Sequence, residues 1–145
     1  MSHDYSQPYI AIFETDSFNL NEYIRPVCLP TPDLEISEGY AIVSGFGTAS
    51  NDGRLISDQL RFTQVPVLNY ESCDNAYFNE FENGLELIQN MVCAGGRGRD
   101  ACDGDIGGPL VAAVANRWTI IGLFSSWHCS LYTKVSRYLD EINNN

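Results

Sequence analysis

The stretch Asp100-Ala101-Cys102-Asp103-Gly104-Asp105-Ile106-Gly107-Gly108-Pro109-Leu110-Val111 is a glycine-rich turn that leads into an apolar run. Its three glycines predict a tight bend, and the run that begins at Pro109 is typical of a buried strand. Ile106 stands at the centre of the turn. A hydrocarbon side chain cannot attack a carbonyl group, so the turn offers backbone amides but no nucleophile.

This stretch resembles the active-site loop of the trypsin-like serine proteases, whose pattern is Asp-Ala-Cys-x-Gly-Asp-Ser-Gly-Gly-Pro-Leu-Val. Ile106 replaces the serine of that pattern. Further matches to the family occur in the family's order, at residues 23–30, 43–47, 91–95, 126–127 and 132–138. The resemblance implies an all-β fold, a six-stranded antiparallel Greek-key barrel with a C-terminal helix, which is the second of the family's two barrels. A fold, however, does not establish an activity.

The length of 145 residues is enough for one domain with a real core. It is too short for the two full barrels of the family, so the resemblance implies that most of the first barrel is absent. We expect residues 1–38 to hold the last strand of that barrel, near residues 9–13, and the linker between the barrels. Residues 39–145 are expected to form the second barrel and the C-terminal helix.

Runs of β-branched and aromatic residues between turn formers predict six strands. They cover residues 40–45, 60–68, 90–94, 109–114, 117–124 and 131–135. Six short strands favour a closed antiparallel barrel, which leaves no exposed edge. Two helices are also predicted, one capped by Asn69 and a terminal one capped by Ser136.

The formal net charge is −11 and the pI is about 4.3. This charge argues against nucleic acid as a partner, because such binding depends on a basic surface. It disfavours an anionic membrane surface for the same reason. No stretch of about 20 apolar residues occurs, so no membrane span is predicted.

The five cysteines of the chain lie where the family has cysteines. The resemblance implies the bridges Cys73–Cys93 and Cys102–Cys129, and it leaves Cys28 unpaired, since its usual partner in the family lies upstream. A disulfide framework indicates an oxidising, extracellular compartment. No signal peptide is visible in residues 1–18. We therefore expect the chain to be a truncated product, a spliced isoform or an incomplete gene model of a secreted protein.

Serine-protease chemistry needs an alcohol, an imidazole that takes its proton and a carboxylate that orients the imidazole. The alcohol position holds Ile106. Tyr9 stands where the family has its aspartate, and neither His3 nor His128 falls at the position of the imidazole. These three losses predict a protein that has no catalytic residues.

Residues that form the substrate pocket of the family are matched in part. Asp100 lies at the position of the acid that reads Lys or Arg side chains, and Gly104 lies in the oxyanion turn. Ser126 and Trp127 match the wall of the pocket, whereas His128 replaces a glycine at its mouth. A solvated aspartate in a surface loop is an equally good account of Asp100.

Asp105 matches the aspartate that pairs with a newly cut N-terminus in activated relatives. We expect it to have a different partner, a raised pKa or an exposed loop, because an unpaired buried carboxylate is costly.

The leading hypothesis is a non-catalytic serine protease homologue that binds a protein or peptide, for example another protease or the missing N-terminal segment. An extended peptide could add as a strand near Ser126, Trp127 and His128. The alternative is an ancestral serine-type endopeptidase with Lys/Arg preference whose full chain is longer. No cofactor and no metal are expected, because the two histidines lie far apart and the cysteines are explained as bridges.

Overall fold

The structure is a computed structural model, and it describes residues 10–48, 56–69, 71–73, 89–96, 104–125 and 131–144. All statements about the fold refer to these residues. The domain boundary expected near residue 38 stays a prediction.

Six antiparallel strands form one sheet. They are β1 Tyr40–Gly45, β2 Arg61–Pro66, β3 Met91–Cys93, β4 Pro109–Val114, β5 Arg117–Phe124 and β6 Leu131–Lys134. The order in the sheet is β2-β1-β4-β5-β6-β3. All six predicted strands are present, and three of them have the predicted bounds. The turn formers between the apolar runs therefore predicted the positions of the strands correctly.

The sheet curls until its two outer strands meet. Val67, just after β2, forms an antiparallel bridge with Ala94, just after β3. The amide of Leu68 donates to the carbonyl of Cys93 at 2.9 Å, and the amide of Gly95 donates to Pro66 at 2.9 Å. These bonds satisfy backbone groups that an open edge would leave unpaired. The predicted six-stranded Greek-key barrel is confirmed.

The core lies inside the curled sheet, and Leu110, Val65 and Tyr132 are among its fully buried side chains, each 0% exposed. The rings of Tyr132 and Phe124 are tilted by 57° with centroids 5.5 Å apart, a favourable arrangement for an aromatic pair. Gly122 makes room for this packing, because a Cβ there would lie 2.8 Å from the Cβ of Tyr132.

The connector, residues 10–39, runs over the surface and attaches to the barrel at Cys28. The amide of Cys28 donates to the carbonyl of Trp118, and the carbonyl of Cys28 accepts from the amide of Ile120, both at 3.0 Å. Cys28 thus forms a short parallel bridge to the part of β5 that precedes its pairing with β6. Backbone hydrogen bonds hold the connector at a few points, and towards its end Leu34 and Ile36 pack against the core.

The strand expected near residues 9–13 is not formed at the residues described there. Residues 10–13 are irregular, and Phe13 is 83% exposed. A strand needs a neighbour whose backbone groups complete its hydrogen bonds, and no described strand lies alongside this run.

The helices follow the prediction in part. Residues 71–73 are helical, and the side-chain oxygen of Asn69 accepts from the amide of Ser72 at 2.8 Å, which confirms the predicted cap. At the C-terminus a 3-10 helix, Val135–Tyr138, precedes the helix α1, Leu139–Asn143.

Ser136 was expected to cap the terminal helix, and this expectation is wrong. The first turn begins at Val135, so Ser136 lies inside the 3-10 helix and points into the protein. Val135 and Leu139 are buried and Tyr138 and Ile142 are half-buried, as the predicted apolar stripe requires. No helix in the described ranges is long and apolar enough to cross a membrane.

Candidate active site

The glycine-rich turn is anchored on the end of β5. The amide of Gly107 donates to the carbonyl of Phe124 at 2.7 Å, and the carbonyl of Gly108 accepts from the amide of Phe124 at 2.8 Å. Gly104 and Gly107 have φ of 91° and 83°, a conformation that favours glycine. The turn closes through the amide of Gly108, which donates to the carbonyl of Asp105 at 2.7 Å. These contacts confirm the predicted tight bend.

Asp105 has a partner within the chain. Its carboxylate accepts a hydrogen bond from the amide of Gly47 at 2.7 Å. A Cβ at Gly45 or Gly47 would overlap this carboxylate, so the two glycines leave the space that it occupies. Of the three expectations for Asp105, a different partner is the one observed. The bond joins the glycine-rich turn to the end of β1.

Ile106 projects from this turn into solvent and is 72% exposed. Its side chain lies on the surface of a loop whose backbone is hydrogen-bonded on both sides. Within the described ranges, the amides of Gly104 and Ile106 donate no hydrogen bond. These amides are therefore available to an acceptor, and the hydrocarbon side chain of Ile106 cannot itself form an acyl intermediate.

Several predicted site residues lie outside the described residues, and for them the predictions stand as before. They are Tyr9, Asp100, Cys102, Ser126, Trp127, His128 and Cys129. Among the described residues, no group of three or more His, Cys, Asp or Glu side chains could hold a metal ion. The described part of the site thus consists of the turn, its isoleucine and its aspartate.

The cysteine predictions are met where they can be read. Cys73 and Cys93 form a disulfide with their Cα atoms 6.0 Å apart, and Cys28 is a free, half-buried cysteine. The disulfide joins the short helical segment to β3, next to the point where the sheet closes. The bridge expected between Cys102 and Cys129 lies outside the described residues.

Two features were missed by the sequence analysis. One is the role of Gly45 and Gly47 as the receptor for the Asp105 carboxylate, which only the approach of residues 58 positions apart reveals. The other is a cavity beside β6, where Lys134 is buried. The sequence contained a signal for the cavity, since Lys134 is the only lysine of the chain and is the last residue of a mostly apolar strand.

Comparison with known proteins places these features in a family. The family model Trypsin matches residues 2–142. CLIP domain-containing serine protease B15 of Anopheles gambiae is 35% identical over 133 residues, which are 83% of this chain and 35% of that protein. Tryptase of Mus musculus is 34% identical over 142 residues, 89% of this chain and 52% of the relative.

A third relative also matches. Vitamin K-dependent protein C of Oryctolagus cuniculus is 36% identical over 143 residues, 86% of this chain and 30% of that protein. The chain thus spans about a third to a half of the length of these relatives. The curled antiparallel sheet, the anchored glycine-rich turn and the family match lead to one conclusion: this chain belongs to the trypsin family of serine proteases.

Proposed function

We propose that this chain is a non-catalytic trypsin-like domain that acts by binding another protein or a peptide. The observation that carries the proposal is Ile106, an exposed hydrocarbon side chain at the place where the family pattern has its nucleophilic serine. Nucleophilic catalysis requires an oxygen, sulfur or nitrogen atom at that place. No rearrangement of the loop can supply one from isoleucine.

The backbone of the glycine-rich turn is fixed by hydrogen bonds to two other segments. Its bonds to Phe124 and the bond between Asp105 and Gly47 hold the backbone in place. A preserved turn without a nucleophile supports retention of the binding surface after loss of the chemistry. The amides of Gly104 and Ile106 could then hold a peptide carbonyl that is never cut.

The alternative, a serine-type endopeptidase with Lys/Arg preference, is favoured by the names of the relatives, which include serine proteases and a tryptase. A longer chain could add an imidazole upstream of residue 1. It could not change residue 106, and we therefore place the endopeptidase second.

Exposed apolar side chains support a role in protein contacts. The connector carries eight large apolar residues that are at least 40% exposed: Ile12, Phe13, Phe18, Leu20, Tyr23, Ile24, Val27 and Leu29. Soluble proteins seldom leave so many apolar groups of one segment in water unless another surface covers them. We assign the peptide contact itself to the neighbourhood of Ser126, Trp127 and His128, and a secreted location is proposed from the disulfide.

The direct test is an activity assay on the purified 145-residue chain, with mouse tryptase assayed in parallel as the positive control. We expect no cleavage of peptides that contain Arg or Lys and no labelling by a serine-directed phosphonate. Stoichiometric labelling of a residue of this chain would overturn the proposal.

A second variant separates a missing nucleophile from a missing triad. Ile106→Ser restores the alcohol, and because Tyr9 replaces the aspartate and no imidazole is matched, we expect this variant to be inactive as well. Hydrolysis by Ile106→Ser would show that the remaining machinery is intact and that the change at residue 106 alone removed the activity. Limited proteolysis of the unmodified chain tests whether the domain is folded in the first place.

A further inference from the structure

We propose that the cavity between the connector and β6 binds a small organic monoanion, in which one carboxylate is carried by an apolar body. This cavity is separate from the candidate active site, because none of residues 104–108 lines it. Its volume is about 220 Å³.

The cavity has more positive than negative charge. Lys134, Arg137 and Glu35 are the charged residues that line it. The ammonium group of Lys134 pairs with Oε2 of Glu35, and Nη2 of Arg137 lies 3.9 Å from Oε1 of the same carboxylate. Two cations thus share one anion. The net charge of the chain is −11, whereas the lining of this cavity has an excess of one positive charge, which one further carboxylate would balance.

The two cations differ in how much solvent they retain. The side chain of Lys134 is only 11% exposed, whereas that of Arg137 is 47% exposed. Lys134 is therefore committed to Glu35, because a buried ammonium group must keep its partner. The guanidinium of Arg137 makes no hydrogen bond to another described residue, and its five donors suit a carboxylate.

A buried hydroxyl adds a second polar group. Ser136 lines the cavity and is 9% exposed, and its Oγ has no hydrogen-bond partner among the described residues. A buried polar atom without a partner costs free energy, so such atoms are rare in folded proteins. The oxygen has less than 1 Å² of accessible surface, so its side chain would have to rotate towards the cavity to donate to a bound carboxylate.

Much of the remaining cavity wall is apolar, which favours a ligand with an apolar body. Leu34, Ile36, Met91 and Ile121 line the cavity together with the disulfide. A cavity of about 150 Å³ can hold benzene, so this one has room for a single ring and its carboxylate. It is smaller than the pockets of about 300–1,000 Å³ that hold drug-sized molecules.

Benzoate is a suitable probe, and benzyl alcohol is its neutral counterpart of similar shape. We expect benzoate to bind the full chain in a 1:1 ratio at low salt, and benzyl alcohol to bind at least about tenfold more weakly, as the loss of a charge-assisted hydrogen bond implies. Titration calorimetry measures both affinities. Because the chain has one lysine, protein labelled with ¹³C-lysine gives a single side-chain signal from Lys134, which should shift on binding.

Variants locate the site. Arg137→Gln should weaken benzoate binding by roughly tenfold, whereas Arg117→Gln, an exposed arginine at the start of β5 outside the cavity, should leave it unchanged. Thermal unfolding of each variant verifies that it is folded.

Three results would overturn the proposal. Equal affinity for benzyl alcohol would show that charge plays no part, and equal competition by inorganic sulfate would show that the apolar body plays none. Equal loss of binding in Arg137→Gln and Arg117→Gln would mean that benzoate responds to overall charge and not to this cavity.

Discussion

The barrel wall and the connector have similar apolar side chains, but those of the wall are buried and many of those of the connector are exposed to solvent. In β4, β5 and β6 the residues Leu110, Ile121 and Tyr132 are at most 4% exposed, whereas Phe13 and Tyr23 in the connector are 83% and 87% exposed. Packing inside the curled sheet makes the difference. Each of the three strands has hydrogen-bonded neighbours on both sides over part of its length, and the three side chains belong to the core cluster inside the sheet.

The connector has little such pairing, namely the bridge at Cys28 and the bond from the amide of Val67 to the carbonyl of Gly39. Three prolines, Pro26, Pro30 and Pro32, remove backbone donors from it. Apolar composition alone therefore does not bury a segment, because burial also requires a packed surface that receives its side chains. Each of the following predictions measures one side of this contrast, in order of decreasing effect.

The largest effect is expected from a cavity in the barrel wall. Leu110→Ala should lower the free energy of unfolding by about 3–5 kcal/mol, because Leu110 is fully buried and the strands around it cannot collapse. The matched change in the connector, Phe13→Ala, should alter it by less than about 0.5 kcal/mol. Urea unfolding measures both, and equal losses would show that the connector packs as tightly as the barrel.

The disulfide near the closure of the barrel is expected to contribute slightly less. Replacing Cys73 and Cys93 together by serine should cost about 3 kcal/mol, since the bridge closes a loop with a sequence separation of 20. Cys28→Ser is the matched control, and it should leave stability within about 0.5 kcal/mol. Should the two changes cost the same, Cys28 would have a structural role that its free thiol does not suggest.

The exposed connector should promote self-association. The net charge of −11 opposes contact between copies, but salt screens it beyond about 10 Å at 0.1 M. We expect the chain to sediment as an oligomer at physiological salt, and Phe13, Phe18 and Tyr23 changed together to serine to shift it towards monomer. Phe62→Ser, on the exposed face of β2, is the control and should have little effect. A monomeric unmodified chain, with and without reductant, would contradict this view.

The smallest effect is expected at the hairpin between β4 and β5. Ala115 and Asn116 have φ of 47° and 62°, and alanine is strained in that conformation. Asparagine tolerates it and is favoured in such two-residue turns, so Ala115→Asn should raise stability by about 0.5 kcal/mol. Ala113→Asn, on an exposed strand position, should give no gain. Calorimetric unfolding resolves the difference.

The strands of the barrel could be read from the chain because each is a short apolar run between turn formers, a property that depends on neighbouring residues. The bounds of β1, β4 and β5 were obtained in this way. The same holds for the cap at Asn69, whose side chain reaches an amide three residues ahead. The family motifs supplied the order of the elements and the Cys73–Cys93 pair, and the proposed absence of catalysis rests on Ile106.

The remaining contacts and orientations were decided by the tertiary structure, because they depend on residues far apart in the chain. The carboxylate of Asp105 meets the Gly47 amide across 58 positions, and Lys134 meets Glu35 across 99. Ser136 is an acceptable helix cap in sequence, but packing turned it inward. Residues 10–13 have the composition of a strand and remain irregular. Local sequence sets which backbone shapes are favourable, whereas hydrogen-bond partners and burial, which come from distant segments, determine which of them persist.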